Sequence, residues 1–167
     1  MAARAPRAPK NPKSCHERAL GLLAVRPRSH RELEMRLVRA GFEEAEVAEV
    51  LDRLRDVGLI DDMAFARAVA EHGFGTRRSG ARAVRQALGA KGVACETVDA
   101  VVAELGGGEE ERALALARSR VGRLAALPPE KAFGRMVGLL ARRGYPPSIA
   151  RRAARVALQV DDSEVDP

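Results

Sequence analysis

A chain of 167 residues, 46% of them apolar, holds one domain or a few very small ones and is apolar enough to build a folded core. Five aromatic residues, none of them Trp, are too few for a nucleic-acid module that stacks bases on exposed rings, and the abundance of Ala, Leu, Val, Arg and Glu favours helices over a sandwich or barrel. The net charge of +6 points to polyanions or acidic protein surfaces as partners, while the isolated Cys15 and Cys95 speak against a disulfide scaffold or a zinc site.

Residues 1–13 hold four cations, three prolines and no acid, and read as a disordered basic tail. Helix starts follow at Ser14-Cys15-His16-Glu17 and Ser29-His30-Arg31-Glu32, both S-x-x-E capping boxes, and at Asp61 or Asp62 ahead of Phe65 and Val69. Helix stops are marked by Gly41, Gly58, Gly92 and Gly144, each just past an apolar-periodic run. Prolines outside the tails stand at Pro27, Pro128–Pro129 and Pro146–Pro147, where they delimit helices rather than interrupt them. The last seven residues, 161–167, carry four carboxylates and read as an acidic tail.

A repeat organises the middle of the chain. Leu37–Phe42, Leu88–Val93 and Leu140–Tyr145 share the form L-x-x-x-G followed by an apolar residue, with glycines 51 and 52 residues apart. Beyond the glycine, Val47, Val50, Leu51 and Leu54 align with Val98, Val101, Val102 and Leu105, and Ile149, Ala153 and Val156 follow in the third copy. The expectation is an all-α fold of three tandem three-helix units, over residues 14–58, 61–105 and 109–158, whose apolar faces must pack on one another. Gly41, Gly92 and Gly144 are assigned to structure as left-handed helix stops, and Asp61 and Asp62 to a helix cap.

Charge is unevenly placed. Residues 72–95 carry five Lys or Arg and no acid, and residues 131–160 carry seven and no acid, whereas the segments 14–71 and 96–130 are each net negative. At about 100° per residue, Arg78, Arg82 and Arg85 fall in one sector of a helix. Lys131, Arg135 and Arg142 fall in another, opposite Phe133, Val137 and Leu140, while Arg151 and Arg155 oppose Ile149, Ala153 and Val156. These eight cations form the expected contact surface, and Arg suits paired recognition of phosphate or carboxylate. No catalytic constellation, phosphate-binding loop or metal-ligand spacing is found, so a non-enzymatic protein without metal or cofactor is expected. With neither an apolar signal segment nor a run long enough to span a bilayer, a cytoplasmic protein that does not engage membranes is expected.

The run Arg28-Ser29-x-x-Glu32-Leu33-x-x-Arg36-Leu37-x-x-x-Gly41-Phe42 resembles the first repeat of the RecX family, bacterial modulators of the RecA recombinase. Val57-Gly58-Leu59-Ile60-Asp61-Asp62-x-x-Phe65-Ala66 is similar to that family's link into its second repeat. Gly80-x-Arg82-x-Val84-Arg85-Gln86-x-Leu88-x-x-Lys91-Gly92-Val93 and Leu140–Tyr145 with Ile149 are similar to the second- and third-repeat cores. The likeness spans residues 14–158, with departures at Ala83, Ala87 and Gly89, where charged residues are usual. It implies an elongated helical array that lies on the RecA–single-stranded-DNA filament as a monomer. Such a protein bridges RecA protomers and lowers filament extension, ATP hydrolysis, strand exchange and co-protease activity, and so regulates recombination and the SOS response. Single-stranded DNA, and duplex DNA by the same basic surface, are then expected contacts. The alternative is a tandem helix-turn-helix-like DNA-binding protein that acts without RecA.

Overall fold

The computed structural model describes residues 13–160, so the basic tail, Lys13 apart, and the acidic tail lie outside the described residues. Among the described residues all regular secondary structure is helical, and the chain divides at Asp61 into two compact units.

The first unit holds α1 (Cys15–Val25), α2 (His30–Arg39) and α3 (Glu44–Asp56). Ser14 caps α1: its Oγ accepts the Glu17 N–H at 3.2 Å while the Glu17 carboxylate accepts the Ser14 N–H at 2.8 Å. The Ser14 N–H, and after it the Ser14 hydroxyl at 3.2 Å, donate to the Glu17 carboxylate and hold it below its usual range. At α2 the Ser29 Oγ likewise accepts the Glu32 N–H at 3.1 Å. The Glu32 carboxylate meets Arg28 at 2.9 Å, and the buried Arg28 also donates to the Leu22 carbonyl at 3.1 Å, tying the end of α1 to the start of α2. The apolar positions close over one core of Ala19, Leu33, Leu37, Val47, Leu51 and Leu54, with Ile60 brought in after α3. Cys15 is fully buried there, and burial, with Glu46 nearby, pushes its thiol above the usual value.

The second unit begins with α4 (Asp62–Glu71), which leaves Asp61 just ahead of the first helical residue. A five-residue π-helical segment, His72–Thr76, continues from it; α5 (Ala81–Gly89) and α6 (Cys95–Leu105) follow. Gly73 in the π-helical segment lies so close to Val84 that a Cβ would sit 2.9 Å from its Cγ2. Then come α7 (Glu109–Arg118), a 3-10 turn at Val121–Arg123, α8 (Pro129–Arg142) and α9 (Pro147–Leu158). Pro129 and Pro147 are the first residues of their helices, where a missing N–H and a fixed φ cost nothing.

Two apolar clusters serve this unit. Phe65, Phe74, Val84, Leu88, Val98 and Val101 fill the one beneath α4–α6, and Leu116, Met136, Leu140, Tyr145 and the α9 alanines fill the one beneath α7–α9. One sequence expectation is corrected here. In α9 the inward residues are Ala150, Ala153 and Ala154, whereas Val156 is 51% exposed. The small alanines let α9 lie close on α7 and α8, and that turns Val156 outward.

Repeats two and three are joined through backbone. The turn after α8 abuts the start of α5: the Gly80 N–H donates to the Arg143 carbonyl at 2.8 Å, and the Tyr145 hydroxyl donates to the Arg78 carbonyl at 2.7 Å. A Cβ at Gly80 would stand 2.4 Å from the Gly144 carbonyl oxygen, and one at Gly144 would stand 2.4 Å from the Ala83 nitrogen. Gly144 also has φ +88°, so both conformation and contact exclude a side chain there. Glu109 at the head of α7 accepts the Ala81 N–H at 2.8 Å, supplying the cap that Gly80 cannot. The Arg112 guanidinium lies 4.6 Å from the centre of the Phe74 ring.

Candidate cationic surface

The eight predicted cations fall into distinct settings. Arg82 and Arg85 are exposed on α5, but Arg78 precedes that helix, in a left-handed conformation with φ +48°. The helical sector drawn through Arg78 is therefore incorrect: Ser79 and Gly80 separate it from α5, and its carbonyl is turned to Tyr145. Arg82 reaches across to the third repeat and donates to the Ala141 carbonyl at 3.1 Å, where the negative end of α8 favours a cation. Arg143 donates to the Arg77 carbonyl at 2.5 Å. The joint between repeats thus gathers Arg77, Arg78, Arg82 and Arg143, with Arg142 beside them in sequence, although the basic segments are some sixty residues apart.

Acids from the negative segment 96–130 fold back onto part of the basic ones, Asp99 meeting Arg85 at 3.3 Å and Glu110 pairing with Arg152, while Glu104 meets Arg67 of the first negative segment at 3.1 Å. These pairs are exposed and contribute little stability, yet they lower the positive potential that Arg85 can offer a partner. Lys131, Arg135 and Arg142 are exposed on α8, opposite the buried Ala132, Met136 and Leu140. On α9, Arg151 is exposed and Arg155 half-buried.

Two further cations belong with the α8 set. Arg120 and Arg123, around the 3-10 turn, line an open groove of about 530 Å³ with Arg135 and Arg142. Its floor is Leu124, Gly134, Gly138 and Leu139, and among the described residues that line it there is no carboxylate. Segment charge hides these two arginines, because residues 96–130 are net negative as a whole.

The residues assigned to structure sit at helix ends. Gly41, Gly92 and Gly144 have φ of +95°, +71° and +88°. Among the described residues no group of three or more His, Cys, Asp and Glu side chains gathers to hold a metal ion, and no described helix is long and apolar enough to cross a membrane.

Comparison with known proteins completes the picture. Three family descriptions match in succession: RecX first three-helix domain over residues 15–54, second over 61–102 and third over 108–154. The chain is 38% identical over 156 residues to the regulatory protein RecX of Mycobacterium sp. strain KMS, covering 90% of this chain and 85% of that one. It is 36% identical over 151 residues to the regulatory protein RecX of Streptomyces coelicolor, covering 88% and 79%. The crystal structure of RecX from Lactobacillus salivarius shares the fold with a TM-score of 0.73 at 19% identity, over 87% of this chain and 96% of that one. A second crystal structure, of regulatory protein RecX, gives 0.75 at 24% identity over 83% and 70%. Nine α-helices among the described residues, three successive RecX domain matches and relatives matched along most of their length lead to one conclusion: the chain belongs to the RecX family.

Proposed function

We propose that this protein binds the RecA–single-stranded-DNA filament and holds back RecA's filament extension, ATP hydrolysis, strand exchange and co-protease function. Membership of a family of regulatory proteins supports the reading, and so does the charge pattern. The observation that carries it is the docking of the α8–α9 turn on the start of α5, which brings the start of one basic helix against the end of another. Arg82, Lys131, Arg135, Arg142 and Arg151 are exposed and are taken as the principal contacts, with Arg78 at the joint. Arg85, met by Asp99, and the half-buried Arg155 contribute less.

The test titrates the full chain into RecA's single-stranded-DNA-dependent ATPase, with and without excess DNA. Inhibition that excess DNA does not relieve is expected. The triple variant Lys131→Glu/Arg135→Glu/Arg142→Glu should lose roughly tenfold or more in potency, at unchanged helical circular dichroism, since each reversal removes a charge contact and adds a repulsion. Full inhibition by the triple variant would remove the site assignment. Inhibition abolished by excess DNA would instead make the protein a simple DNA binder, with a salt dependence close to −0.9 in log–log slope per phosphate neutralised.

A further inference from the structure

The groove between the 3-10 turn and α8 carries a feature that the fold itself does not call for. Gly134 and Gly138 lie in the interior of a fourteen-residue helix, where glycine is a poor helix former. Neither is demanded by packing. A Cβ built at Gly134 meets nothing within 4 Å, and one at Gly138 meets only the Arg142 Nη1 at 3.3 Å, the far end of a flexible side chain. Neither adopts the left-handed conformation that favours glycine. Spaced four apart, both lie on the same face of α8, and both line the open groove. Their effect is to strip side chains from its floor for about one and a half turns, so that another backbone can come close.

The surroundings define what that backbone belongs to. Arg120, Arg123, Arg135 and Arg142 line the groove. Four guanidinium groups with no carboxylate among the described lining residues suit an acidic ligand. The floor between them is apolar, from Leu124 and Leu139. No aromatic side chain lines it, so the groove lacks the stacking platform on which single-stranded nucleic acid is ordinarily held.

We propose that this groove is a docking site for an acidic amphipathic helix of a partner protein. The helix crosses α8 over Gly134 and Gly138, sets an apolar side chain between Leu124 and Leu139, and offers flanking carboxylates to the arginines. The pattern combines two recognition modes, an amphipathic helix laid into a groove and close helix crossing over small residues. The site is argued from the groove alone and is tested without RecA or DNA filaments, so its failure would leave the ATPase test above standing.

The experiment uses the full chain and a labelled synthetic peptide of about fourteen residues, four helical turns, with leucines at i and i+4 flanked by glutamates. Controls are a shuffled peptide of the same composition and an oligothymidylate of equal charge. Fluorescence anisotropy is expected to show the ordered peptide binding roughly tenfold more tightly than the shuffled one. Gly134→Leu and Gly138→Leu should each weaken it by about tenfold while leaving the melting temperature unchanged or raised, because leucine is the better helix former. Arg123→Glu/Arg135→Glu should abolish it. Absence of binding, equal binding of ordered and shuffled peptides, or indifference to both leucine variants would overturn the proposal. So would oligothymidylate binding that the leucine variants impair as strongly as they impair the peptide, which would make the groove a nucleic-acid site.

Discussion

Tyr145 shows how much of the joint between repeats two and three depends on one atom. Its ring is buried in the third repeat's core while its hydroxyl donates to the Arg78 carbonyl in the second. Burial raises the phenol above its usual value, and Glu109 adds to this while Arg112 and Arg143 oppose it. Because the folded protein favours the neutral phenol, its contribution is complete below the unfolded value of about 10 and is lost as pH rises through the raised folded value. Tyr145→Phe removes the hydrogen bond and should cost about 1 kcal/mol near neutrality. The variant should also lose part of the alkaline fall in stability, leaving a flatter curve of melting temperature between roughly pH 9 and pH 11. Parallel alkaline curves for the two proteins would show that the phenol does not titrate against folding.

At the scale of elements, the link between α1 and α2 adds a buried cation to the apolar core that the two helices share. Arg28 is 7% exposed, bonded to the Leu22 carbonyl and paired with Glu32. Arg28→Ala leaves the carboxylate and the carbonyl without it and should cost about 3 kcal/mol, read from urea denaturation. Arg28→Met, which keeps the bulk, separates lost charge from lost volume. A cost below about 1 kcal/mol for the alanine variant would mean that Arg26 and Arg36, which also approach Glu32, replace it.

The ends of these elements were legible in the sequence because each has a local chemical cause: a serine that caps, a proline that begins, a glycine that turns left-handed. Core positions were legible where the helix buries large aliphatic residues, as at Val47, Val50, Leu51 and Leu54. They were not legible in α9, where alanines on two faces look alike until neighbours choose one, and Val156 was misplaced for that reason. The site was legible only as acid-free stretches. Which cations would meet was not, because the Gly80–Gly144 contact, the Asp99 pairing of Arg85 and the approach of Arg120 and Arg123 to α8 are made by folding. Arg78 was misread because angular projection assumes a helix where the chain breaks.

For the whole molecule, the contrast between equivalent glycines separates a repeat's own stability from its coupling to a neighbour. Gly41 needs glycine for its φ of +95° alone, since a Cβ there meets nothing within 4 Å. Gly144 needs it for φ and for contact with Ala83. Gly41→Ala should therefore cost about 1–2 kcal/mol, the ordinary penalty of a left-handed residue. Gly144→Ala should cost roughly 3 kcal/mol or more, adding displaced backbone to that penalty. In hydrogen exchange it should release amides of α5 and α9 together, across two family domains, with the first unit's amides as internal reference. Release confined to α9 would show that the second and third repeats open separately.

The two cysteines have a practical consequence. Cys15 is sealed in the first core with its thiol held protonated, whereas Cys95 is exposed at the first residue of α6. A thiol-directed dye added to the native protein under mild conditions should therefore attach at Cys95 alone, with no engineered residue. The unmodified sequence carries its own single-site address for distance and orientation measurements, and a second modified thiol would signal that the first core has opened.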